Sequence, residues 1–264
     1  MISLLSTTKK KLLNIFKKSM IYKIYILIPA RSGSTRIKNK NLKTVGGITL
    51  LERKIKTAIK SKIGKVFVST NCEKIAKISK SLGAEVPFLR PKVYSNSKSS
   101  TISCVLHFIR FLNKKKIYVP EYLAVLPVTN PFLKANSIKK AFYKIQKEKK
   151  YNSIVSYVDS SQHPFLFVKK NKKLFFNIIK YEGFKYSDFE RTQDWPKAYI
   201  ASPALKISKI QYFDKYIKNK NPSFNEKTFD YKNCLGIKIK NIESLDINNQ
   251  FDLNLANKLF YLAK

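Results

Sequence analysis

Between residues 21 and 158, runs of β-branched and aromatic residues alternate with stretches whose apolar positions recur every three or four residues. The first run, IYKIYILIPA (21–30), is apolar on both alternating faces and ends at Pro29, as expected of a strand covered on both sides. After a loop over 30–47, Leu50, Leu51, Ile55, Ala58 and Ile59 recur at helical spacing, and KVFVST (65–70) predicts a second buried strand. A helix over 73–82 closes at Gly83, in the position after a helix that favours glycine, and AEVPFL (84–89) reads as a short third strand. A helix over 99–113, a strand YLAVLPV (122–128), a helix over 135–148 and a strand NSIVSYV (152–158) continue the alternation. Such βαβ order predicts an α/β protein with a Rossmann-like, doubly wound, mostly parallel sheet. Beyond residue 160 the pattern loosens into aromatic, short-strand material such as KLFFNII (173–179) and LGIKIK (235–240). A strand-like ESLDI (243–247) then precedes a final helix over 249–262, and no internal repeat is visible.

A length of 264 residues predicts one large domain, or one domain with a small extra lobe, and 44% hydrophobic content excludes disorder as the main state. No apolar run approaches the roughly 18 residues of a membrane span. Residues 1–19 are basic and amphipathic but lack the uninterrupted apolar core and small-residue cleavage site of a signal peptide. They read as an extension ahead of Met20, in preference to a helix lying on an anionic membrane surface. Cys72, Cys104 and Cys234 stand 32 and 130 residues apart, which fits neither a disulfide framework nor zinc-ligand spacing, so a reducing cytoplasm is the expected compartment.

Charge changes this picture less than its size suggests. The 53 Lys+Arg against 16 Asp+Glu give +37, a balance that invites nucleic-acid binding. Yet only six of the basic residues are arginine, the side chain preferred for bidentate recognition, and the lysines are spread along the whole chain. A solvated surface of biased composition is the preferred reading over a functional basic patch, and no specific nucleic acid is expected.

In open α/β sheets ligands bind at the carboxyl ends of strands, and the first strand-to-helix loop meets phosphates through backbone amides. Here that loop is PARSGSTRIKNKN (29–41), with Gly33 for close backbone approach, small donors Ser32 and Ser34, and cations Arg31, Arg36, Lys38 and Lys40. Its spacing is neither that of a dinucleotide fingerprint nor that of a Walker loop.

This loop closely resembles the pyrophosphorylase loop of the acylneuraminate cytidylyltransferases, and five further segments continue the resemblance in order. VSTN (68–71) looks like the family's second-strand motif, GAEVPFLRP (83–91) like its base-contacting arginine segment, and SSTIS (99–103) like its Ser/Thr segment. RTQDWPKAY (191–199) is similar to its sugar-side motif, and SLDINNQFDLNLA (244–256) to its terminal metal-binding strand and helix. The resemblance implies a nucleotide-diphospho-sugar transferase type of fold over 20–264, with sugar-side elements and a small dimerisation lobe in about 160–240. It implies transfer of a cytidylyl group from CTP to a nine-carbon acidic sugar of sialic, pseudaminic or legionaminic type, with release of pyrophosphate, by a Mg²⁺-dependent homodimer. LPVTNPF (126–132) and RTQDWP look more like the pseudaminate branch than the sialate branch.

Carried over residue by residue, the resemblance assigns Arg31 and Lys40 to the triphosphate, with the backbone of Ala30, Ser32, Gly33 and Ser34 assisting. Asn41 would read cytosine, with Arg90, Ser99 and Thr101 completing the nucleotide pocket. Arg191 would pair with the sugar carboxylate, beside Gln193 and Tyr199. Asp246 would hold Mg²⁺, with Asn248 replacing the family's second aspartate as a ligand without charge. Other departures are Asn71 for an aspartate, Pro127 for a glutamine and Pro203 for a glycine. These leave open an alternative, a catalytically impaired paralogue that binds nucleotide or an acidic polymer such as RNA. Of the two histidines, His107 is expected to pack within its helix and His163 either to border the sugar site or to serve its loop, while Trp195 reads as core or dimer contact.

Overall fold

The structure is a computed structural model that describes residues 22–96, 99–167, 180–217 and 228–262. The N-terminal extension (1–19) and the KLFFNII stretch (173–179) lie outside the described residues.

The chain opens on β1 (Ile24–Pro29), then makes a one-turn 3-10 helix (Lys40–Leu42) and a small hairpin of β2 (Thr44–Val45) and β3 (Ile48–Thr49). Next come α1 (Leu50–Lys60), β4 (Lys65–Ser69), α2 (Glu73–Ser81), α3 (Thr101–Lys114), β5 (Tyr122–Val125), α4 (Ala135–Lys147) and β6 (Ser153–Asp159). The remainder comprises β7 (Tyr199–Lys209), α5 (Asp214–Ile217), β8 (Cys234–Lys238), α6 (Asn241–Ser244) and α7 (Gln250–Leu262). Six strands form one sheet in the order β4-β1-β5-β7-β6-β8. β1 runs parallel to β4 and β5, and β8 parallel to β6, whereas β7 is antiparallel to both β5 and β6.

The period of two along β1 explains the layering. Ile24, Ile26 and Ile28 face a core shared with α1, α4 and α7, while Tyr25 and Leu27 face a second core built on α3. Within α1, Leu50, Leu51, Ile55 and Ala58 are fully buried, and truncating Ile55 to alanine would cost about 2–5 kcal/mol through lost transfer energy and the cavity left behind. Thr49 caps α1 by accepting from the Glu52 amide, and Ser100 caps α3 by accepting from the Ser103 amide. α7 closes over the hairpin, where Gly46 sits at φ 58° and a Cβ would lie 2.0 Å from the Phe260 ring, so only glycine fits.

Three expectations change. AEVPFL is not a full strand: it makes isolated parallel bridges, Glu85 to Phe67 in β4 and Leu89 to Thr70 just beyond it, because Pro87 has no N–H for the ladder between them. ESLDI is not a strand either. Its first residues belong to α6, drawn inward by Glu243, which is 3% exposed and accepts from the Lys134 amide and the Ser137 hydroxyl at the start of α4. Finally, the 160–240 stretch contributes β7 to the middle of the central sheet and β8 to its edge, in addition to its surface material. Pro203 sits where the β6–β7 register shifts between Val155 and Tyr157, a bulge that needs no donor from that position.

Candidate active site

The site grows from the carboxyl end of β1. Ala30 is fully buried and its amide donates to the Ser69 carbonyl at 2.9 Å, which fixes where the loop leaves the sheet. Gly33 adopts φ 81° and Asn39 φ 55°, left-handed positions that let the loop fold back on itself. The loop is braced from the next strand: Asn71 Oδ1 accepts from the Ser32 amide at 2.8 Å and from its hydroxyl at 3.2 Å. An aspartate could accept the same two bonds, so the Asn71 departure keeps the brace and removes only a negative charge. Asn41 Nδ2 donates to the Arg31 carbonyl at 2.8 Å, closing the loop from inside. Arg31, Ser32, Gly33, Ser34, Lys40 and Asn41 thereby line a single cavity of about 110 Å³, which Cys72 and Lys74 complete from the start of α2.

Three cations of the loop, Arg31, Lys40 and Arg36, reach elsewhere. Arg31 donates to the Asn96 carbonyl at 2.9 Å, and Asn96 Oδ1 accepts from the Ser99 hydroxyl at 3.0 Å, so Arg31 and Ser99 are tied to one turn. Lys40 Nζ donates to the Ile247 carbonyl at 2.9 Å. Burial pushes the Lys40 ammonium below its usual range, and the Asp246 carboxylate pulls it back up.

Lys40 thus brings the loop against the extended segment after α6. There Asp246 Oδ2 accepts from Asn248 Nδ2 at 3.0 Å, while Asp246 Oδ1 is buried and makes no hydrogen bond. A buried carboxylate oxygen with no partner is unfavourable as it stands and suits a cation. Asn248 turns its Oδ1 toward Arg36, at 3.3 Å, and its own amide donates to Asp252, which fastens the segment to the first turn of α7. Among the described residues no three His, Cys, Asp or Glu side chains form a ready cage. Any cation here would have to complete its shell with ligand oxygens and water, as Mg²⁺ does on phosphates.

Arg90 is 5% exposed and donates to the Ser69 carbonyl at 3.2 Å, at the end of β4, leaving its Nε without a partner. Thr101 is the exposed first residue of α3. His107 packs edge-on to Phe88 with ring centroids 4.5 Å apart, and burial holds its imidazole below the usual range, with Arg90 and Arg110 adding to the effect.

A second cavity of about 580 Å³ lies beside the 191–199 segment and is lined by His163, Thr192, Trp195, Tyr199 and Lys238 among others. His163 Nδ1 accepts from the Phe165 amide, so Nε2 carries the proton and donates to the Pro196 carbonyl at 2.8 Å. Trp195 packs on that imidazole with ring centroids 4.9 Å apart. Of the three sugar-side candidates, Tyr199 alone lines this cavity. Arg191 forms a two-pronged pair with Asp194 on the surface, at 2.9 and 3.2 Å, and Gln193 is exposed.

Sequence reasoning missed Lys54, Asn130 and Asp252. Lys54 did leave a signal, a lysine on the apolar stripe between Leu51 and Ala58.

The chain resembles known proteins in sequence and in fold. The chain is 28% identical over 239 residues to the N-acylneuraminate cytidylyltransferase of Escherichia coli O18:K1:H7, covering 89% of this chain and 51% of that protein. It is 30% identical over 177 residues to the pseudaminic acid cytidylyltransferase of Campylobacter jejuni strain 81-176, covering 66% of this chain and 72% of that protein. The chain therefore spans only about half the length of the first relative. In fold it matches the structure of CMP:2-keto-3-deoxy-manno-octonic acid synthetase complexed with CTP, with a TM-score of 0.64 at 13% identity, over 91% of this chain and 99% of that one. The cytidylyltransferase family model matches residues 25–260, from the first residues of β1 almost to the end of α7, and the chain belongs to that family.

Proposed function

We propose that this protein couples CTP to a nonulosonic acid, giving the CMP-sugar and pyrophosphate. The observation that carries the reading is the Lys40 to Ile247 bond, which sets a cationic loop against a buried, half-unpaired carboxylate within a cytidylyltransferase chain. The bond to be made joins the anomeric oxygen of the sugar to the α-phosphorus, and the bond to be broken joins that phosphorus to the oxygen leading to the β-phosphate. Catalysis of such a transfer rests on positioning and on neutralising phosphate charge.

Lys40 has three N–H donors and gives one to Ile247, which leaves two for phosphate oxygens. Arg31 gives one of its five to Asn96 and keeps the rest of its fork for the same group. The backbone of Ser32 to Ser34 follows the phosphates, and Arg90, Ser99, Thr101 and Asn41 border the nucleoside. The cavity beside Tyr199, His163 and Trp195 is our choice for the sugar. Cytidylyltransferases of this kind generally use a divalent metal. Mg²⁺ is our choice; Asp246 would hold it, with Asn248 contributing its amide oxygen if it gives up its bonds to Arg36 and Asp246, and the cation would supply positive charge at the phosphate oxygens.

The reading extends to a cytoplasmic homodimer joined through the 160–240 region, supported by the exposed Phe184, Tyr186, Tyr199 and Ile200 and tested by light scattering in solution. The activity test is pyrophosphate release with CTP and sialic, pseudaminic or legionaminic acid in turn. Release is expected only when CTP and one of these sugars are both present. No release with any of the three overturns the reading.

A further inference from the structure

The mechanism above leaves one buried cation unused. Lys54 sits on the apolar stripe of α1 at 1% exposure, between Leu51, Ile55 and Ala58. A methionine there would fill similar space with no charge to desolvate, so the amine has to be explained by what it holds. Its Nζ donates to the Asn130 carbonyl at 2.8 Å.

Asn130 is itself fully buried and is a gripping residue. Its Nδ2 donates to the carbonyls of Ser244, at 3.2 Å, and Leu245, at 3.1 Å, while the neighbouring Thr129 carbonyl accepts from the Ile247 amide at 2.9 Å. The pair Thr129–Asn130 therefore holds the backbone on both sides of Asp246, at 245 and at 247. Among the described residues the hydrogen bond to the Asp246 side chain comes from Asn248, and none comes from Thr129, Asn130 or Lys54. The position of its carboxylate is set by backbone contacts, and those contacts are anchored by Lys54.

We propose that Lys54 is a positioning residue that fixes the Asp246 carboxylate through the Asn130 turn. The inference rests on the reading of Asp246 as the cation-binding group, but its geometry stands whether or not the chain turns over CTP. Burial pushes the Lys54 ammonium down to about 7, even though the carboxylates of Asp246 and Glu243 favour its charged form. A group so desolvated is held by its one strong bond rather than by solvent.

The test is hydrogen–deuterium exchange of the full chain in wild type, Lys54→Met, Asn130→Ala and the double variant, with a Mg²⁺ titration of initial rate alongside. Lys54→Met is expected to speed exchange across 245–249 about tenfold, the factor that one hydrogen bond from a charged donor is worth, and to leave β1 and β4 protected. The half-saturating Mg²⁺ should rise about tenfold, as for loss of a group that orients a metal ligand. The effect of the double variant across 245–249 should fall short of the sum of the two single effects, because the Asn130 side-chain grip works through the turn that Lys54 anchors, while the Thr129 to Ile247 bond survives Asn130→Ala. Unchanged exchange across 245–249 in Lys54→Met overturns the proposal, as does exchange that rises equally throughout the sheet or effects that add in the double variant. If exchange behaves as expected and no sugar releases pyrophosphate, the positioning role stands and the activity reading falls.

Discussion

Lys40 and Ile247 are joined by a single hydrogen bond of 2.9 Å across 207 residues of sequence. Through it the loop after β1 and the segment carrying Asp246 meet at the carboxyl end of β1, and each supplies what the other lacks. The loop is cationic and suits phosphates; the segment holds a carboxylate oxygen with no partner. Neither half is a site alone.

The brace from Asn71 should matter more than its charge. Asn71→Leu leaves the Ser32 amide without its acceptor, so it should lower unfolding free energy by about 1–3 kcal/mol and raise the KM for CTP about tenfold. Asn71→Asp keeps both bonds and should stay within about 0.5 kcal/mol of wild type. Urea unfolding and a CTP titration decide; identical KM values for Asn71→Leu and wild type would show that the loop does not depend on this contact.

The missing second carboxylate gives a gain-of-binding prediction. Asn248→Asp places a charge beside Asp246 and within reach of Arg36, and should lower the half-saturating Mg²⁺ by about 10- to 100-fold. Asp246→Ala should abolish turnover. If Asn248→Asp leaves the Mg²⁺ dependence unchanged and Asp246→Ala remains active, the cation binds elsewhere.

Cys72 would report on the cavity proposed for the nucleotide, because it lines that cavity beside Ser32 and Lys40. Iodoacetamide followed by peptide mass spectrometry should label Cys72, and CTP with Mg²⁺ should protect it. Cys104 is fully buried, and burial with a contribution from Asp230 pushes the Cys234 thiol up to about 11, so both should stay largely unlabelled near neutral pH. Labelling of Cys72 at the same rate with and without CTP would move the nucleotide out of this cavity.

Stability should depend on pH through Lys54. Its folded pKa of about 7 lies below the ordinary 10.5, so between those values the unfolded chain holds a proton that the folded chain has released. Stability from this group therefore rises with pH across that window, and below about pH 7 the cost of burying the cation is present in full. Lys54→Met removes the dependence. The change in urea midpoint on going from wild type to Lys54→Met should be more favourable at pH 6 than at pH 9, and equal changes at the two values would contradict the assignment.

Much of the fold was legible because period and burial coincide. β1, α1, β4, α3 and β6 are apolar on the faces that their spacing predicts, and Gly83 ends α2 at φ 88° as its position suggests. β7 was not, since Pro203, Lys206 and Lys209 interrupt its pattern while its neighbours β5 and β6 pair with it from far away in sequence. Glu243 looked like the start of a strand because nothing local reveals that its carboxylate caps α4. In the site, the motif order drew attention to Asn71, Lys40 and Asp246. The partners of these residues were invisible: the acceptor role of Asn71 toward Ser32 depends on the packing of β4 against β1, and Lys54 depends on a turn 76 residues away.

The span of the Lys40 to Ile247 bond also sets the order in which the protein can become competent during synthesis. A ribosome adding about 5–20 residues per second needs roughly 10–40 s to travel from one partner to the other, a separation of 207 residues. Throughout that interval the emerging chain displays its cationic loop with no carboxylate to face it, and α7 is not yet made to close over Gly46. A chain that stops before residue 246 carries the cationic loop after β1 and lacks the carboxylate that faces it, so the two sides of the proposed site are joined only when synthesis reaches Ile247.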